Sequence, residues 1–204
     1  TRWATHGPPN HVNAHPHQSA SGDIAIVHNG IIENYQELKG RLVSQGFKFV
    51  SETDSEVIAH LVEACYQGDL RAAVATAIER LEGTYGLAVI SRRHPGQLVA
   101  ARKGSPLVVG MCEKETIVAS DVSALVGHTS QVIFLNDGDI LLATADSLDI
   151  TSAKNVPVTR TPMTIDWDIG EIERGGFAHF MLKEIHKQPK ALANAIRGRL
   201  VADD

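Results

Sequence analysis

Two cysteines in 204 residues, Cys65 and Cys112, stand far apart. They offer no disulfide framework, which fits a reducing compartment. Basic runs are absent too: 19 Lys and Arg against 24 Asp and Glu give a net charge of -5. That balance argues against nucleic acid or an anionic membrane as a partner. No apolar stretch approaches the ~18 residues of a membrane span, and no signal peptide is visible. The expectation is a soluble, cytoplasmic protein. Internal repeats and low-complexity tracts are also missing. His6, His11, His15, His17 and His28 lie close in sequence, but without the i, i+4 helical spacing of a metalloprotease or a Cys-x-x-Cys pair. Neither a metal nor a cofactor is therefore expected. What remains is ordinary globular composition, 43% hydrophobic and 21% charged, with enough length for one domain of usual size plus a short extension.

The most informative stretch present is Val27-His28-Asn29-Gly30-Ile31-Ile32-Glu33-Asn34. Ile24-Ala25-Ile26-Val27 is apolar and β-branched, as in a buried strand. Asn29-Gly30 is expected to halt regular pairing, because both residues tolerate positive φ. Asn34 can cap the following helix, with Glu37 in capping-box position. A side-chain amide beside a freely approachable backbone N–H is one way to build an oxyanion hole. By itself, Asn-Gly reads more readily as a hairpin or loop turn.

The pattern predicts a helix over 34–45 closed by Gly46, then a strand-like Phe47–Val50. Thr53-Asp54-Ser55-Glu56 has capping-box spacing and opens a helix with Val57, Ile58, Leu61, Val62 and Cys65 on one apolar stripe. A further helix covers 70–81. Short strands follow at 85–91, 98–102, 107–110, 116–119, 132–135 and 140–143, separated by turn signals such as Pro95-Gly96 and Asn136-Asp137-Gly138. Helices in series followed by many strands suggest an α+β fold with helices packed on antiparallel sheet. Near Asp166 the composition shifts. Residues 177–200 have helical content, with Pro189 marking a break or a new start.

Arg2-Trp3-Ala4-Thr5-His6-Gly7, Asn13-Ala14-His15-Pro16-His17, His28-Asn29-Gly30 and Ser51-Glu52-Thr53-Asp54-Ser55-Glu56 occur in that order. So do Gly104-Ser105-Pro106-Leu107, Ala119-Ser120-Asp121 and Phe180-Met181-Leu182-Lys183-Glu184-Ile185. Together they resemble the glutaminase domain of the glucosamine-6-phosphate synthase family, among the N-terminal-nucleophile glutamine amidotransferases. The resemblance runs across nearly the whole chain. Amidotransferases acting on phosphoribosyl pyrophosphate or aspartate share an Asn-Gly element but are not expected to carry the first two motifs.

The resemblance implies a four-layer αββα sandwich, incomplete at the N-terminus, over residues 1–168. A linker at 169–178 and the start of a sugar isomerase domain at 179–204 follow from it. The other reading of the C-terminal segment is a helix packed on the same domain. It implies glutamine as substrate, with fructose 6-phosphate bound at an isomerase domain outside these residues, and a homodimer formed through that domain. Arg2 is the expected partner of the glutamine α-carboxylate, since a guanidinium fork makes two parallel charge-assisted bonds. Thr5 and His6 support that loop. Asp54 is the expected partner of the α-ammonium, compatible with its also complementing the helix macrodipole. Asn29 and Gly30 are the expected oxyanion donors, and Trp3 the gate over glutamine. The bland alternatives are a surface arginine at position 2 and a core tryptophan at position 3. In this family the nucleophile is an N-terminal cysteine, whereas this chain begins at Thr1. Neither Cys65 nor Cys112 is expected to replace it. The alternatives are another class of N-terminal-nucleophile amidotransferase, or a non-catalytic glutamine-binding module if the chain truly starts at Thr1.

Overall fold

A computed structural model describes residues 6–165 and 177–196 of the chain. The chain divides into two compact units between Ile165 and Asp166.

The first unit is built on a six-stranded antiparallel sheet in the order β1-β2-β3-β4-β8-β9. Its strands are β1 (His17–Gln18), β2 (Ile24–Ile32), β3 (Gly83–Ser91), β4 (Leu98–Lys103), β8 (Asp139–Ala143) and β9 (Leu148–Ser152). A second, four-stranded antiparallel sheet has the order β10-β7-β5-β6. It comprises β5 (Val108–Met111), β6 (Thr116–Ala119), β7 (Gln131–Phe134) and β10 (Met163–Thr164). Helices α1 (Tyr35–Ser44), α2 (Ser55–Cys65) and α3 (Leu70–Ile78) fall between β2 and β3.

Alternation along the strands sorts side chains between two cores. Val99 and Ala101 of β4 join Ile140 of β8 in the core shared with the helices. Ala100, Leu141 and Ala143 point the opposite way, into a core with Val109, Ile133 and Leu135 of the second sheet and its flanks. The layers thus run helices, sheet, sheet. On the far face of the second sheet, a β-carbon at Gly110 would meet Leu125 at 2.9 Å. Leu125 closes the 3-10 helix Val122–Leu125, which represents the fourth layer among the described residues.

Several expectations change. Asn29-Gly30 does not halt pairing: β2 runs through it, with Asn29 opposite Gly86, Gly30 opposite Tyr85 and Ile32 opposite Gly83. The glycine absorbs the distortion at φ +141° without ending the ladder. Nor is β2 buried on both faces, since Ile24 and Ile26 are buried while Val27 is exposed. The Asn34 side chain does not cap α1. It spans to the turn after α3, donating to Arg80 O (2.9 Å) and accepting from Glu82 N–H (3.1 Å). Glu37 pairs instead with Arg41 along the same helix. Residues 47–50 form no strand. Phe47 and Phe49 turn in against the buried His60 ring, at centroid distances of 5.5 and 4.4 Å. The third helix stops at Ile78, and Gly83 begins β3 instead of closing a helix.

The second unit contains α4 (Phe180–Ile196), which continues through Pro189. The expected break at that proline is absent. Met181, Ile185 and Leu192 are exposed on this helix.

Candidate active site

Arg2, Trp3 and Thr5 lie outside the described residues. The remaining expected site residues come from three separate stretches of chain, and the sheet brings them together at one end of β2.

Strand alternation sends neighbouring side chains of β2 to opposite faces. Asn29 is exposed on one face, and His28 is buried on the helix side. β1 pairs only with Ala25 and Ile26, so among the described strands none runs beside His28–Gly30 on that edge. At Gly30 the neighbouring strand approaches closely. A β-carbon there would lie 2.2 Å from Thr84 O and 3.0 Å from Ser105 Oγ. The Gly104-Ser105-Pro106 loop thereby closes over Gly30.

Asp54 is buried at the start of α2. The capping box expected here forms only in half. Thr53 Oγ1 accepts the Glu56 N–H (3.3 Å), and Asp54 makes no side-chain cap. Its carboxylate is thus free to turn towards β2, where Oδ2 accepts the Ile32 N–H at 2.8 Å. His6 Nδ1 stands 3.6 Å from Asp54 Oδ1, and the His6 ring meets Tyr35 edge-on at 5.0 Å. A buried carboxylate, an outward amide and a glycine backbone therefore lie within a few residues of one strand end. Such a group can hold an ammonium and stabilise a developing oxyanion.

Sequence reading missed the residues that lock this group. Asn13, buried within the Asn-Ala-His-Pro-His motif, accepts the Glu52 N–H (2.9 Å) and donates to Pro8 O (3.0 Å). The loop carrying His6 is so tied to the loop entering Asp54. Gly7 sits in that joint at φ +70°, where a β-carbon would be 2.7 Å from Asn13 Nδ2. Glu56, instead of completing the capping box, accepts N–H bonds from Val50 (2.8 Å) and Ser51 (2.7 Å), the Ser51 hydroxyl (2.7 Å), and His60 (3.3 Å). Burial pushes its carboxyl up, but the bonds from His60, Ser51 and the two backbone N–H groups outweigh that and hold it at about 2. His28 Nδ1 lies 2.9 Å from Ser55 Oγ and Nε2 3.3 Å from Thr84 O. Burial lowers its proton affinity against the opposing pull of Asp54 and the Thr84 carbonyl. Asn13, Ser55 and Glu56 sit inside quoted motifs, whereas nothing local marks Thr84.

The two thiols stay away from this group. Cys65 ends α2, ten residues from Ser55, or roughly 15 Å at 1.5 Å per residue. Cys112 follows β5 in the other sheet, with Sγ 3.8 Å from His128 O. Among the described residues no cluster of His, Cys, Asp and Glu could hold a metal ion. None of their helices is long and apolar enough to cross a membrane.

Residues 9–127, more than half of the chain, match the model of a family described as "Glutamine amidotransferase domain". The chain belongs to that family. Curated relatives named glutamine–fructose-6-phosphate aminotransferase [isomerizing] align along it. The one from Symbiobacterium thermophilum is 52% identical over 99% of this chain and 33% of its own length. That from Thermotoga maritima is 49% identical over 100% and 34%, and that from Aquifex aeolicus 48% over 100% and 34%. The amidotransferase chain thus spans about a third of the length of these relatives. Among solved structures, glutamine phosphoribosylpyrophosphate amidotransferase from B. subtilis superposes with a TM-score of 0.62 at 26% identity, covering 74% of this chain and 33% of that one. An allosteric regulatory enzyme of purine biosynthesis gives 0.61 at 25% identity, over 72% and 32%. The likeness establishes the α+β sandwich of the N-terminal-nucleophile amidotransferases.

Proposed function

We infer that this chain is the glutamine-hydrolysing part of an enzyme that passes ammonia to fructose 6-phosphate, yielding glucosamine 6-phosphate and glutamate. The observation that carries the reading is the bond from Ile32 N–H to Asp54 Oδ2 at 2.8 Å. It sets a buried carboxylate two residues beyond the Asn29-Gly30 pair. In this reading Asp54 receives the substrate's α-ammonium and Arg2 its α-carboxylate, with Thr5 and His6 supporting that loop. Attack on the side-chain amide throws negative charge onto the carbonyl oxygen, which the Asn29 side-chain N–H and the Gly30 backbone N–H receive. Each such donor is worth ~3–4 kcal/mol in the transition state. The attacking thiolate is the family's N-terminal cysteine, and neither Cys65 nor Cys112 serves. Trp3 gates the passage of ammonia.

The sugar-phosphate partner comes from the relatives' names and from their 45–52% identity along this chain. A boundary at 168, a linker at 169–178 and an isomerase domain entered at 179 complete the reading. So do a homodimer through that domain and a cytoplasmic location. The exposed Met181, Ile185 and Leu192 suit a helix that packs into a further domain.

The test uses the full-length protein. Glutamate and glucosamine 6-phosphate are quantified with fructose 6-phosphate present, for wild type and Trp3→Ala. Wild type should form the two in near-equal amounts, whereas Trp3→Ala should form glutamate in excess. Wild-type glutamine hydrolysis without any amino sugar would reject the sugar-phosphate assignment. Failure to hydrolyse glutamine at all would reject the amidotransferase reading.

A further inference from the structure

The roles assigned above leave out His28, yet its ring touches both halves of the site. On one side Nδ1 meets Ser55 Oγ (2.9 Å), the residue beside Asp54. On the other, Nε2 meets the Thr84 carbonyl (3.3 Å). That carbonyl accepts only, so the ring nitrogen facing it carries the proton. In the neutral ring Nδ1 then accepts the Ser55 hydroxyl.

The Thr84 carbonyl sits where β2 and β3 approach each other closely. Ile31 pairs with Thr84 in the ladder, and just beyond the strand ends Glu33 N–H bonds to Glu82 O at 2.9 Å. The Ile31 N–H also lies 3.3 Å from Thr84 Oγ1. The carbonyl stands over Gly30, at the 2.2 Å approach that excludes any β-carbon. A carbonyl oxygen has two lone pairs, and the His28 N–H takes one of them.

We propose that His28 is a positioning residue for the oxyanion donors. It holds the Thr84 carbonyl against the Gly30 peptide and ties that strand to Ser55, fixing the spacing between the Asn29-Gly30 pair and the Asp54 carboxylate. The inference rests on the glutaminase reading of the site and adds to it the residue that sets its geometry. Displacing an oxyanion donor by a fraction of an ångström weakens transition-state binding while leaving the amino-acid clamp in place. Loss of His28 should therefore act on kcat more than on KM.

The experiment compares full-length wild type with His28→Leu, His28→Gln and Ser55→Ala. His28→Leu fills volume without either bond, whereas His28→Gln keeps an N–H within reach of the Thr84 carbonyl. The readouts are glutaminase kcat and KM, with ammonia-dependent amino-sugar synthesis as the check on folding. His28→Leu should lower kcat about 10–30-fold with KM within about threefold. His28→Gln should recover most of the loss, and Ser55→Ala should lose about threefold in kcat with KM held. Wild-type kcat in His28→Leu overturns the proposal, as does a parallel rise in KM. If His28→Leu does not fold, Ser55→Ala and His28→Gln decide. Unchanged kcat in Ser55→Ala, or a His28→Gln variant that folds yet falls about 30-fold, rejects the role. Absence of glutamine hydrolysis in wild type refutes the underlying reading instead.

Discussion

The carbonyl oxygen of Thr84 stands against the α-carbon of Gly30, so near that a β-carbon on that residue would lie 2.2 Å away. The neighbour is backbone and cannot swing aside. The φ of +141° adds strain for any L side chain. Gly30→Ala must therefore part β2 from β3 at the point where the proposed oxyanion donors sit. In the full-length protein it should cost at least ~2 kcal/mol of stability and reduce glutamine hydrolysis to near background. Thermal unfolding and steady-state kinetics check both, and a variant with wild-type Tm and kcat would show that the contact has no consequence.

The adjacent residue should behave in the opposite way. Asn29 is exposed, so Asn29→Ala should change stability by less than ~0.5 kcal/mol. In its proposed role as oxyanion donor, however, its loss should lower glutaminase kcat by ~10²–10³ with a smaller change in KM. Unchanged kcat in the folded variant would remove Asn29 from the site.

The contrast shows what local sequence can carry. The Asn-Gly pair was legible as a special backbone position, and α2 as a helix with Cys65 on its apolar stripe. The ladder through Gly30 was not, because positive φ signals a turn unless a partner strand accommodates it. Asn34 misled for a related reason. Its side chain satisfies Arg80 and Glu82, nearly fifty residues on, and no local rule can weigh a distant acceptor against a cap. Phe47 and Phe49 read as strand because their alternation matches one, yet they alternate around a histidine ring. Thr84 was invisible, as its role comes from β3 lying opposite β2.

Asp54 separates binding from folding. Its Oδ2 accepts the Ile32 N–H, a bond that the amide oxygen of Asn can also accept. Asp54→Asn should thus keep the fold but lose the charge that pairs with an ammonium. Glutamine KM should rise by at least ~10-fold, while synthesis from added ammonia continues. Arg2→Lys, which loses the bidentate fork, should act alike. Equal loss of the glutamine- and ammonia-dependent reactions would make these residues structural.

Glu56 sets an acid limit on stability. Its carboxyl, ordinarily near 4.5, is held at about 2 in the folded chain. A group depressed by folding stabilises above its unfolded value and loses that contribution as pH falls through the folded one. The contribution is about 3 kcal/mol, present above pH 4.5 and fading towards pH 2. Glu56→Gln should lower stability at pH 7 and flatten its dependence between pH 4.5 and 2. Denaturant unfolding at several pH values tests this. A variant with the wild-type acid limb would assign the limb to other carboxyls.

Thiol chemistry gives the remaining prediction. A cysteine attacks as its thiolate, so a nucleophile needs exposure and a lowered pKa. Burial pushes the Cys65 thiol up, only partly offset by Arg80, and its helix carries it away from the Asp54 end. Cys112 is also pushed up, by burial and by the charge of Glu115, and it follows a strand of the second sheet. Neither thiol combines reactivity with a place beside Asn29 and Gly30. A diazo-ketone analogue of glutamine, incubated with the full-length protein and followed by peptide mass spectrometry, should leave the peptides containing Cys65 and Cys112 unmodified. Cys65→Ser and Cys112→Ser should retain glutaminase kcat within about twofold. Stoichiometric labelling at either position, abolished by excess glutamine, would move the nucleophile into this chain and overturn the N-terminal assignment.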